Sequence, residues 1–269
     1  MLVVDSQIHP WSNGTSTGHH RRDPIDAHRL QQEMTQAGVD RAVLVPPLWD
    51  PDGNDYSLRL AAQHPDRFCV MGLLNPALPN ASEQLQGWLQ QPGMRGVRFL
   101  LNTPARTQPL DDGTLDALWP IAEAHGITVS LLMPGRLLDV ARIARRHPRL
   151  KLLVDHLGVP RGAVGEMAFK HLPDLLALAA FPNVQVKAAG VGDYALDPFP
   201  FKSLLDPLQR IFNAFGAGRV IWGSDLSRLH HPYSQCVDHF KSQLPFLSST
   251  EVEKVMGENI ISLLDWKSC

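Results

Sequence analysis

Two histidines and one aspartate, His9, His156 and Asp225, stand close behind short apolar runs that lie far apart in the sequence. The runs are Leu2-Val3-Val4, Leu150 to Val154 and Val220-Ile221-Trp222. Imidazole and carboxylate groups serve as general bases in hydrolysis and as ligands of divalent metals. Strand ends this far apart can share one site only if the fold gathers the C-terminal ends of its strands, as a (β/α)8 barrel does.

Each of these three residues also has a purely structural interpretation. His9 could be a solvated polar group at a half-buried strand end, and His156 could be a hydrogen-bonded structural residue. Asp225 could cap the helix that follows it. Its position just after a strongly apolar strand favours a general base or a metal ligand, because barrel enzymes hold such groups at strand ends.

Three more polar residues, Gln7, Arg98 and Lys187, are candidates for binding a substrate. Gln7 alternates with Asp5 and His9, so these three side chains are expected on one face of an extended first strand. The guanidinium fork of Arg98 suits a carboxylate bound at two points. Lys187 ends an apolar run and could bind a carboxylate or act near a carbonyl. Alternatively, it could be a rim lysine whose ammonium group reaches water.

Arg98 and Lys187 both need an anion if they lie inside a barrel mouth, because an unpaired cation in a partly dehydrated site is costly. That anion is either a substrate carboxylate or a protein carboxylate. Asp155 and Asp193 are close in sequence to other strand ends and could serve. The first alternative predicts a carboxylated substrate.

The elements that must position these residues alternate along the chain. Eight short apolar runs and eight amphipathic runs follow each other strictly, which predicts a parallel sheet. The predicted strands are Leu2–Asp5, Ala42–Val45, Cys69–Leu74, Gly96–Phe99, Thr128–Leu132, Lys151–Asp155, Val184–Lys187 and Arg219–Gly223. The predicted helices are Asp26–Gln36, Asn54–His64, Ser82–Gln90, Asp112–His125, Leu137–His147, Phe169–Ala179, Phe201–Phe215 and Tyr233–Gln243, with Ser249–Leu264 packed on the outside. The pattern predicts an α/β fold, a (β/α)8 TIM barrel in a single domain over residues 1–269.

A polar segment without periodicity, Pro10–Pro24, is expected to form a long first loop over the barrel mouth. Its His19-His20-Arg21-Arg22 cluster could be a cationic lid or a solvated stretch of loop. The pair His230-His231, after the eighth strand, has the same two interpretations.

Composition narrows the functional classes. The 269 residues suit one barrel of about 250 residues, and the net charge of −2 gives no reason to expect a nucleic-acid or membrane partner. Three cysteines without C-x-x-C spacing, Cys69, Cys236 and Cys269, indicate reduced thiols. No signal-peptide pattern and no apolar stretch of about 18 residues is visible, so a cytoplasmic protein without a membrane span is expected.

These motifs resemble the amidohydrolase-2 group of the amidohydrolase superfamily, which are TIM-barrel hydrolases. The resemblance covers nearly the whole chain. It rests on Val4-Asp5-Ser6-Gln7-Ile8-His9-Pro10-Trp11, Ala37-Gly38-Val39-Asp40-Arg41-Ala42-Val43, Gly96-Val97-Arg98-Phe99, Val154-Asp155-His156-Leu157-Gly158, Asn183-Val184-Gln185-Val186-Lys187 and Trp222-Gly223-Ser224-Asp225. It implies a hydrolase that acts on a small molecule. The group includes lactonases acting on pyrone dicarboxylates, muconolactones and sugar lactones, and also zinc decarboxylases.

Two departures from the pattern of the full superfamily bear on a metal. That pattern has His-x-His after the first strand, but Gln7 replaces the first histidine here. A metal-binding histidine commonly follows strand five, where this chain has Met133. Glutamine and methionine are poor zinc ligands beside histidine and carboxylate. No tightly bound metal is therefore expected, and His9, His156 and Asp225 would be ligands only in the alternative case.

The main hypothesis is a lactonase that opens a small carboxylated lactone, with Asp225 as the general base on water. His9 and His156 would polarise the carbonyl and stabilise the oxyanion. Arg98 and Lys187 would bind the carboxylate or the oxyanion.

Two other hypotheses stay open. The first is a zinc-dependent hydrolase or decarboxylase of the same fold, in which the metal activates water or polarises the substrate. The second is an inactive barrel kept as a binding subunit. The two missing ligand positions suggest it, and the retained Asp225 and His156 oppose it. The substrate and self-association as a homo-oligomer are not decided by the sequence.

Overall fold

Eight parallel strands form one sheet in which sequence neighbours lie side by side. They belong to a computed structural model that describes residues 1–16 and 18–266. The strands are β1 (Val4–Ile8), β2 (Arg41–Leu44), β3 (Phe68–Leu73), β4 (Met94–Leu100), β5 (Thr128–Leu132), β6 (Leu152–Val154), β7 (Val184–Ala189) and β8 (Val220–Gly223). All eight predicted strands are present, and the clearest difference is that β1 begins and ends later than expected.

The sheet closes into a barrel where β8 meets β1. The backbone N–H of Asp225 donates to the carbonyl oxygen of Gln7 at 3.0 Å, and the Ser6 hydroxyl donates to the carbonyl oxygen of Trp222 at 2.6 Å. The strands approach closely at Gly223, where an added Cβ would lie only 2.7 Å from the Ser6 hydroxyl oxygen. The predicted (β/α)8 fold is confirmed, and the C-terminal ends of the strands meet at one mouth.

Most of the connecting helices are shorter than predicted. They are α1 (Ala27–Ala37), α2 (Asn54–Gln63), α3 (Ala81–Gln86), α4 (Pro104–Asp111), α5 (Leu118–Ala124), α6 (Leu137–Arg146), α7 (Leu172–Ala177), α8 (Leu205–Phe215), α9 (Tyr233–Ser242), α10 (Ser249–Glu253) and α11 (Asn259–Leu263). Helix α4 was not predicted. It begins at Pro104, a position where the missing N–H of proline costs nothing. Part of the predicted helix Asp112–His125 is instead a 3₁₀ turn at Thr114–Ala117.

Helix α1 shows how local sequence sets these elements. The Asp26 carboxylate accepts from the backbone N–H of Arg29 at 2.8 Å and so caps the first turn. Gly38 ends the helix in the left-handed conformation, with a φ of 72°. Leu30 and Met34, four positions apart, form the buried face that packs on the barrel.

The last predicted helix, Ser249–Leu264, packs on the outside in its first part, where Val252, Val255 and Met256 share the hydrophobic core of the other outer helices, whereas its last turn lies at the end of the barrel. A π-helical turn at Lys254–Glu258 divides it into α10 and α11. Beyond this turn, the end of the described chain packs against residues of the barrel strands. On the side of the chain end, the contact is made by Ile260, Leu263, Leu264 and Trp266. On the side of the strands, it is made by Val4, Val43, Val45, Cys69, Met71, Leu153 and Ile221. We call the first four residues the plug, because they cover the apolar N-terminal end of the barrel.

Two of the three cysteines, Cys69 and Cys236, are buried and free. Cys269 lies outside the described residues. Across the described part of the chain, no helix has the length and apolar character needed to cross a membrane.

Candidate active site

A cavity of about 510 Å³ opens at the C-terminal mouth of the barrel. Its lining includes His9, His156 and Asp225. His9 Nε2 lies 3.3 Å from Asp225 Oδ1, and His156 Nε2 lies 3.9 Å from Asp225 Oδ2. The fold thus brings together the three residues on which the sequence-based hypothesis depends, while their chemical roles stay a prediction.

Asp225 lies at the floor of this cavity. Its side chain is 2% exposed, and Oδ1 has no hydrogen-bond donor among the described residues. The capping interpretation is wrong, because the next helix, α9, begins only at Tyr233 and has Pro232 as its N-cap. A buried carboxylate oxygen without a donor is costly. This oxygen is therefore suited to a water molecule or to a donor group of a substrate.

His9 and His156 present the same nitrogen to Asp225. His9 Nδ1 lies 2.6 Å from the carbonyl oxygen of Val45, and His156 Nδ1 lies 3.2 Å from that of Ala189. A carbonyl oxygen only accepts, so Nδ1 carries a proton in both rings. Burial lowers the pKa of His156 to about 4, which keeps this ring neutral near pH 7.

Gln7 and Lys187 lie inside the barrel beneath the cavity, and neither lines it. Lys187 is fully buried. Its Nζ donates to Gln7 Oε1 at 2.8 Å and contacts Asp155 Oδ1 at 2.9 Å. Burial lowers the pKa of Lys187, and the Asp155 carboxylate opposes that shift. The positions of Gln7 and Lys187 do not support direct substrate contact, and the rim interpretation of Lys187 is wrong.

Arg98 lines the cavity, but a protein carboxylate already neutralises its charge. Its Nε donates to Asp155 Oδ2 at 2.6 Å, and the Ser130 hydroxyl donates to Asp155 Oδ1 at 2.6 Å. Burial alone would raise the pKa of Asp155, but Lys187 and Arg98 together hold it below its ordinary value. Asp155 is thus the anion between the two cations. A substrate carboxylate is not needed to balance Arg98, contrary to the main sequence-based expectation.

Asp5 does not share a face with Gln7 and His9, so that prediction was wrong. The pairing register of β1 with β2 shifts along this strand, and such an irregularity breaks the two-residue alternation. The Asp5 carboxylate accepts from the Tyr233 hydroxyl at 2.6 Å and from the backbone N–H of Ser224 at 2.9 Å. Asp5 therefore ties β1 to the end of β8 and to α9.

Three arginines that were not selected from the sequence also line the cavity: Arg106, Arg161 and Arg228. Arg228 Nε lies 3.5 Å from Asp225 Oδ2, while Arg106 and Arg161 donate to uncharged oxygen atoms of the protein. Asp225 is the only carboxylate among the described lining residues, so positive charge is in excess. The three arginines follow β4, β6 and β8, where a search of the loops at the C-terminal face would have found them.

The long first loop covers part of the mouth and places His19 in the cavity lining. His19 Nδ1 lies 2.6 Å from the Ser227 hydroxyl oxygen. Its ring packs edge-on against His9 and Trp49, with centroid distances of 5.2 and 4.6 Å. Burial lowers the pKa of His19 to about 3, which favours the neutral ring near pH 7. For His19, this direction speaks against the cationic-lid interpretation.

Two imidazoles and one carboxylate have the chemistry of a catalytic zinc site. However, no group of three or more His, Cys, Asp or Glu side chains within residues 1–16 and 18–266 has the spacing of a metal site. The His9 Nε2 atom, which would bind the ion, lies 3.0 Å from the amide nitrogen of Gln7. That nitrogen only donates. The residues as placed therefore do not fit a zinc ion unless the Gln7 amide moves.

Comparison with known proteins identifies the family. The sequence model of the amidohydrolase family matches residues 4–266. The chain is also 29% identical over 246 residues to an L-fucono-1,5-lactonase from Burkholderia ambifaria. The alignment covers 88% of this chain and 82% of that protein. The sequence-based expectation of a hydrolase is confirmed, and the hypothesis of an inactive binding barrel is not supported.

Solved structures share the fold over nearly the whole chain. An amidohydrolase from Burkholderia multivorans with bound HEPES has a TM-score of 0.81 at 21% identity and covers 98% of this chain and 99% of that chain. Its zinc-bound crystal form has a TM-score of 0.78 at the same identity and coverage. A putative 2-pyrone-4,6-dicarboxylic acid hydrolase from Pseudomonas putida has a TM-score of 0.75 at 21% identity, covering 99% of this chain and 98% of that chain. With the family match over residues 4–266, the chain belongs to the amidohydrolase family.

Proposed function

We propose that this protein is a lactonase that opens a small lactone carrying a carboxylate group. The observation that carries the proposal is the buried Asp225 Oδ1, which has no donor within the described chain and faces the cavity between two imidazoles. The described lining contains no serine or cysteine to act as a nucleophile, and we assign the attack to water. The relative named as a fuconolactonase and the neighbour named as a putative pyrone dicarboxylic acid hydrolase support this substrate class.

In the proposed reaction, Asp225 takes a proton from the water molecule whose oxygen attacks the lactone carbonyl carbon. A C–O bond forms, and the carbonyl oxygen becomes the oxyanion of a tetrahedral intermediate. The ring C–O bond then breaks, and the ring oxygen receives the proton held by Asp225. The product carries one new hydroxyl group and one carboxylic acid, which loses its proton to the solvent.

His156 orients the attacking water in this proposal, because the single lone pair at His9 Nε2 accepts from the Gln7 amide. Both rings use Nδ1 as a donor to a backbone carbonyl and direct Nε2 toward Asp225. With Nδ1 as the donor, Nε2 of each ring is assigned as an acceptor, so it does not donate to an oxyanion, and the role expected from the sequence changes. The donor to the oxyanion is instead the Arg228 guanidinium group, whose Nε lies 3.5 Å from Asp225 Oδ2.

The substrate carboxylate is assigned to Arg106 and Arg161 rather than to Arg98. Arg98 is balanced by Asp155 at 2.6 Å, whereas Arg106 and Arg161 donate to uncharged oxygens. A guanidinium group gains more from a carboxylate than from a neutral acceptor. Arg106→Ala is therefore expected to raise KM for a carboxylated lactone and to leave KM for a neutral lactone nearly unchanged.

Hydrolysis of a lactone panel, followed as acid release at constant pH, tests the proposal. The panel contains a sugar 1,5-lactone, a pyrone dicarboxylate and a neutral lactone of the same ring size. Asp225→Asn is expected to fold normally and to lower kcat by about 10²-fold or more, the usual contribution of a general base. Asp193→Asn is the matched control, because Asp193 lies outside the cavity lining. Turnover of no lactone, or a wild-type kcat in Asp225→Asn, contradicts the proposal.

A zinc-dependent hydrolase or decarboxylase is the second candidate. The residue types at His9, His156 and Asp225 favour it, and the Gln7 amide at His9 Nε2 opposes it. We expect less than one zinc ion per chain after purification and activity that survives a chelator. One tightly bound zinc ion, with activity lost on its removal and restored on its return, would replace the metal-free proposal.

A further inference from the structure

Four buried polar side chains are linked in series beneath the site: Asp155, Lys187, Gln7 and His9. The successive distances are 2.9 Å from Asp155 to Lys187, 2.8 Å from Lys187 to Gln7, and 3.0 Å from Gln7 to His9. The first three residues are fully buried and His9 is 5% exposed. Because buried polar groups must find their partners in the protein, each member determines the hydrogen-bonding direction of the next.

Lys187 determines the orientation of the Gln7 amide. An ammonium group has only donors, and an amide has an accepting oxygen and a donating nitrogen. Oε1 of Gln7 therefore faces Lys187, and Nε2 faces His9. The flipped amide would place two donors against each other beside Lys187, leaving the Gln7 amide nitrogen without an acceptor there and Lys187 with Asp155 alone.

Gln7 in turn determines the hydrogen-bonding state of His9. His9 Nδ1 donates to the carbonyl oxygen of Val45 at 2.6 Å, so His9 Nε2 accepts from the Gln7 amide. Asp225 Oδ1 lies 3.3 Å from the same Nε2. A carboxylate oxygen cannot receive a hydrogen bond from an accepting nitrogen, so His9 is not a donor to Asp225 Oδ1. None of the other described residues donates to this oxygen either.

We propose that Lys187 and Gln7 are positioning residues that hold His9 as an acceptor at Nε2 and thereby keep Asp225 Oδ1 free for the attacking water. The catalytic part of this inference rests on the lactonase function proposed above. The same contact occupies the His9 lone pair that a zinc ion requires. The pair therefore also disfavours zinc binding, a property that can be measured without a substrate.

Two substitutions of Gln7 separate these effects. Gln7→Glu keeps an oxygen acceptor for Lys187 but replaces the donor to His9 by a second oxygen. Gln7→His restores the His-x-His spacing on β1. Gln32→Glu adds the same charge at an exposed position of α1 and is the matched control for Gln7→Glu.

The direct readout is the ¹⁵N NMR spectrum of the His9 imidazole, assigned by its loss in His9→Gln. In the wild type we expect a protonated Nδ1 and an unprotonated Nε2. In Gln7→Glu the Nε2 signal should move toward that of a protonated nitrogen, while Gln32→Glu keeps the wild-type spectrum. With a lactone substrate, Gln7→Glu should lower kcat by about 10²-fold at unchanged KM, because Asp225 then no longer acts as a free base.

The second readout is zinc binding by titration calorimetry with the metal alone. Gln7→His is expected to bind zinc at least about tenfold more tightly than the wild type, the size of effect seen when a ligand environment is changed. A wild-type spectrum with a protonated Nε2, or tight zinc binding by the wild type that Gln7→His does not improve, overturns the inference. The wild-type measurements need no variant, so the proposal can still be refuted if Gln7→Glu does not fold. Failure of the whole lactone panel would refute the lactonase function but leave the NMR and zinc tests valid.

Discussion

Replacement of Arg98 by alanine is expected to destabilise the protein strongly, while the same change at Arg106 leaves its stability nearly unchanged. The Arg98 side chain is 5% exposed and its Nε lies 2.6 Å from Asp155 Oδ2. Removing one partner of a buried ion pair costs about 3–5 kcal/mol, because the other charge is left uncompensated. Asp155 keeps its contact with Lys187, so a value at the low end, about 3 kcal/mol, is expected. Arg106 has no carboxylate partner of this kind among the described residues, and surface changes of this type stay within about 0.5 kcal/mol.

Urea denaturation and substrate kinetics together check this expectation. A loss of about 3 kcal/mol lowers the urea midpoint by about 1 M if the slope is near 3 kcal/mol per M. Because Arg98 is assigned a structural role, Arg98→Ala should affect carboxylated and neutral lactones alike. The ion-pair reasoning is refuted if Arg98→Ala is as stable as the wild type and raises KM only for the carboxylated lactone. Arg98 would then be the carboxylate ligand after all.

Three further predictions concern stability. Burial lowers the pKa of His156 and His239 from 6.5 to about 4, so the unfolded chain binds more protons between these values. The free energy of unfolding should therefore fall as the pH decreases from about 6.5 toward 4. In urea denaturation, the difference in unfolding free energy between pH 7 and pH 5 should be smaller for His239→Gln than for the wild type. Trp266→Ala removes the largest side chain of the plug and is expected to lower the free energy of unfolding in urea by about 3–5 kcal/mol without changing KM. A stability equal to that of the wild type would show that the plug contributes little. Tyr233→Phe removes the hydroxyl that donates to the buried Asp5 at 2.6 Å. We expect it to lower the free energy of unfolding by about 1–3 kcal/mol in thermal or urea unfolding. An unchanged stability would contradict a stabilising role for this hydrogen bond.

The barrel and its three central residues could be predicted because they depend on short-range patterns. Apolar runs that alternate with amphipathic ones require a parallel sheet. His9, His156 and Asp225 each follow such a run, so the fold carries them to the same mouth. The position of each residue was implied by its own strand, without knowledge of any partner.

The remaining features depend on neighbours in space. The irregularity in β1 that turns Asp5 toward Tyr233 has no signature in a pattern of alternating residues. From the sequence, Asp155 was only one of two candidate carboxylates for the anion beside Arg98. Which of them pairs with Arg98 depends on their distance across the barrel. The apolar face of Ser249–Leu264 showed that it must be buried, but a periodic pattern does not say which surface covers it.

The left-handed backbone at two central residues limits which amino acids can stand there, whatever their chemistry. His156 has a φ of 54° and Asp225 a φ of 55°, values that asparagine and glycine tolerate and β-branched residues do not. In a saturation library, valine or isoleucine at either position would be lost through backbone strain as well as through the missing functional group. Comparing glycine with alanine at Asp225 separates the two contributions, because both lack the carboxylate and only glycine adopts this conformation freely. Tolerance profiles at these positions therefore report folding and chemistry together, and residue preferences there do not by themselves identify a catalytic role.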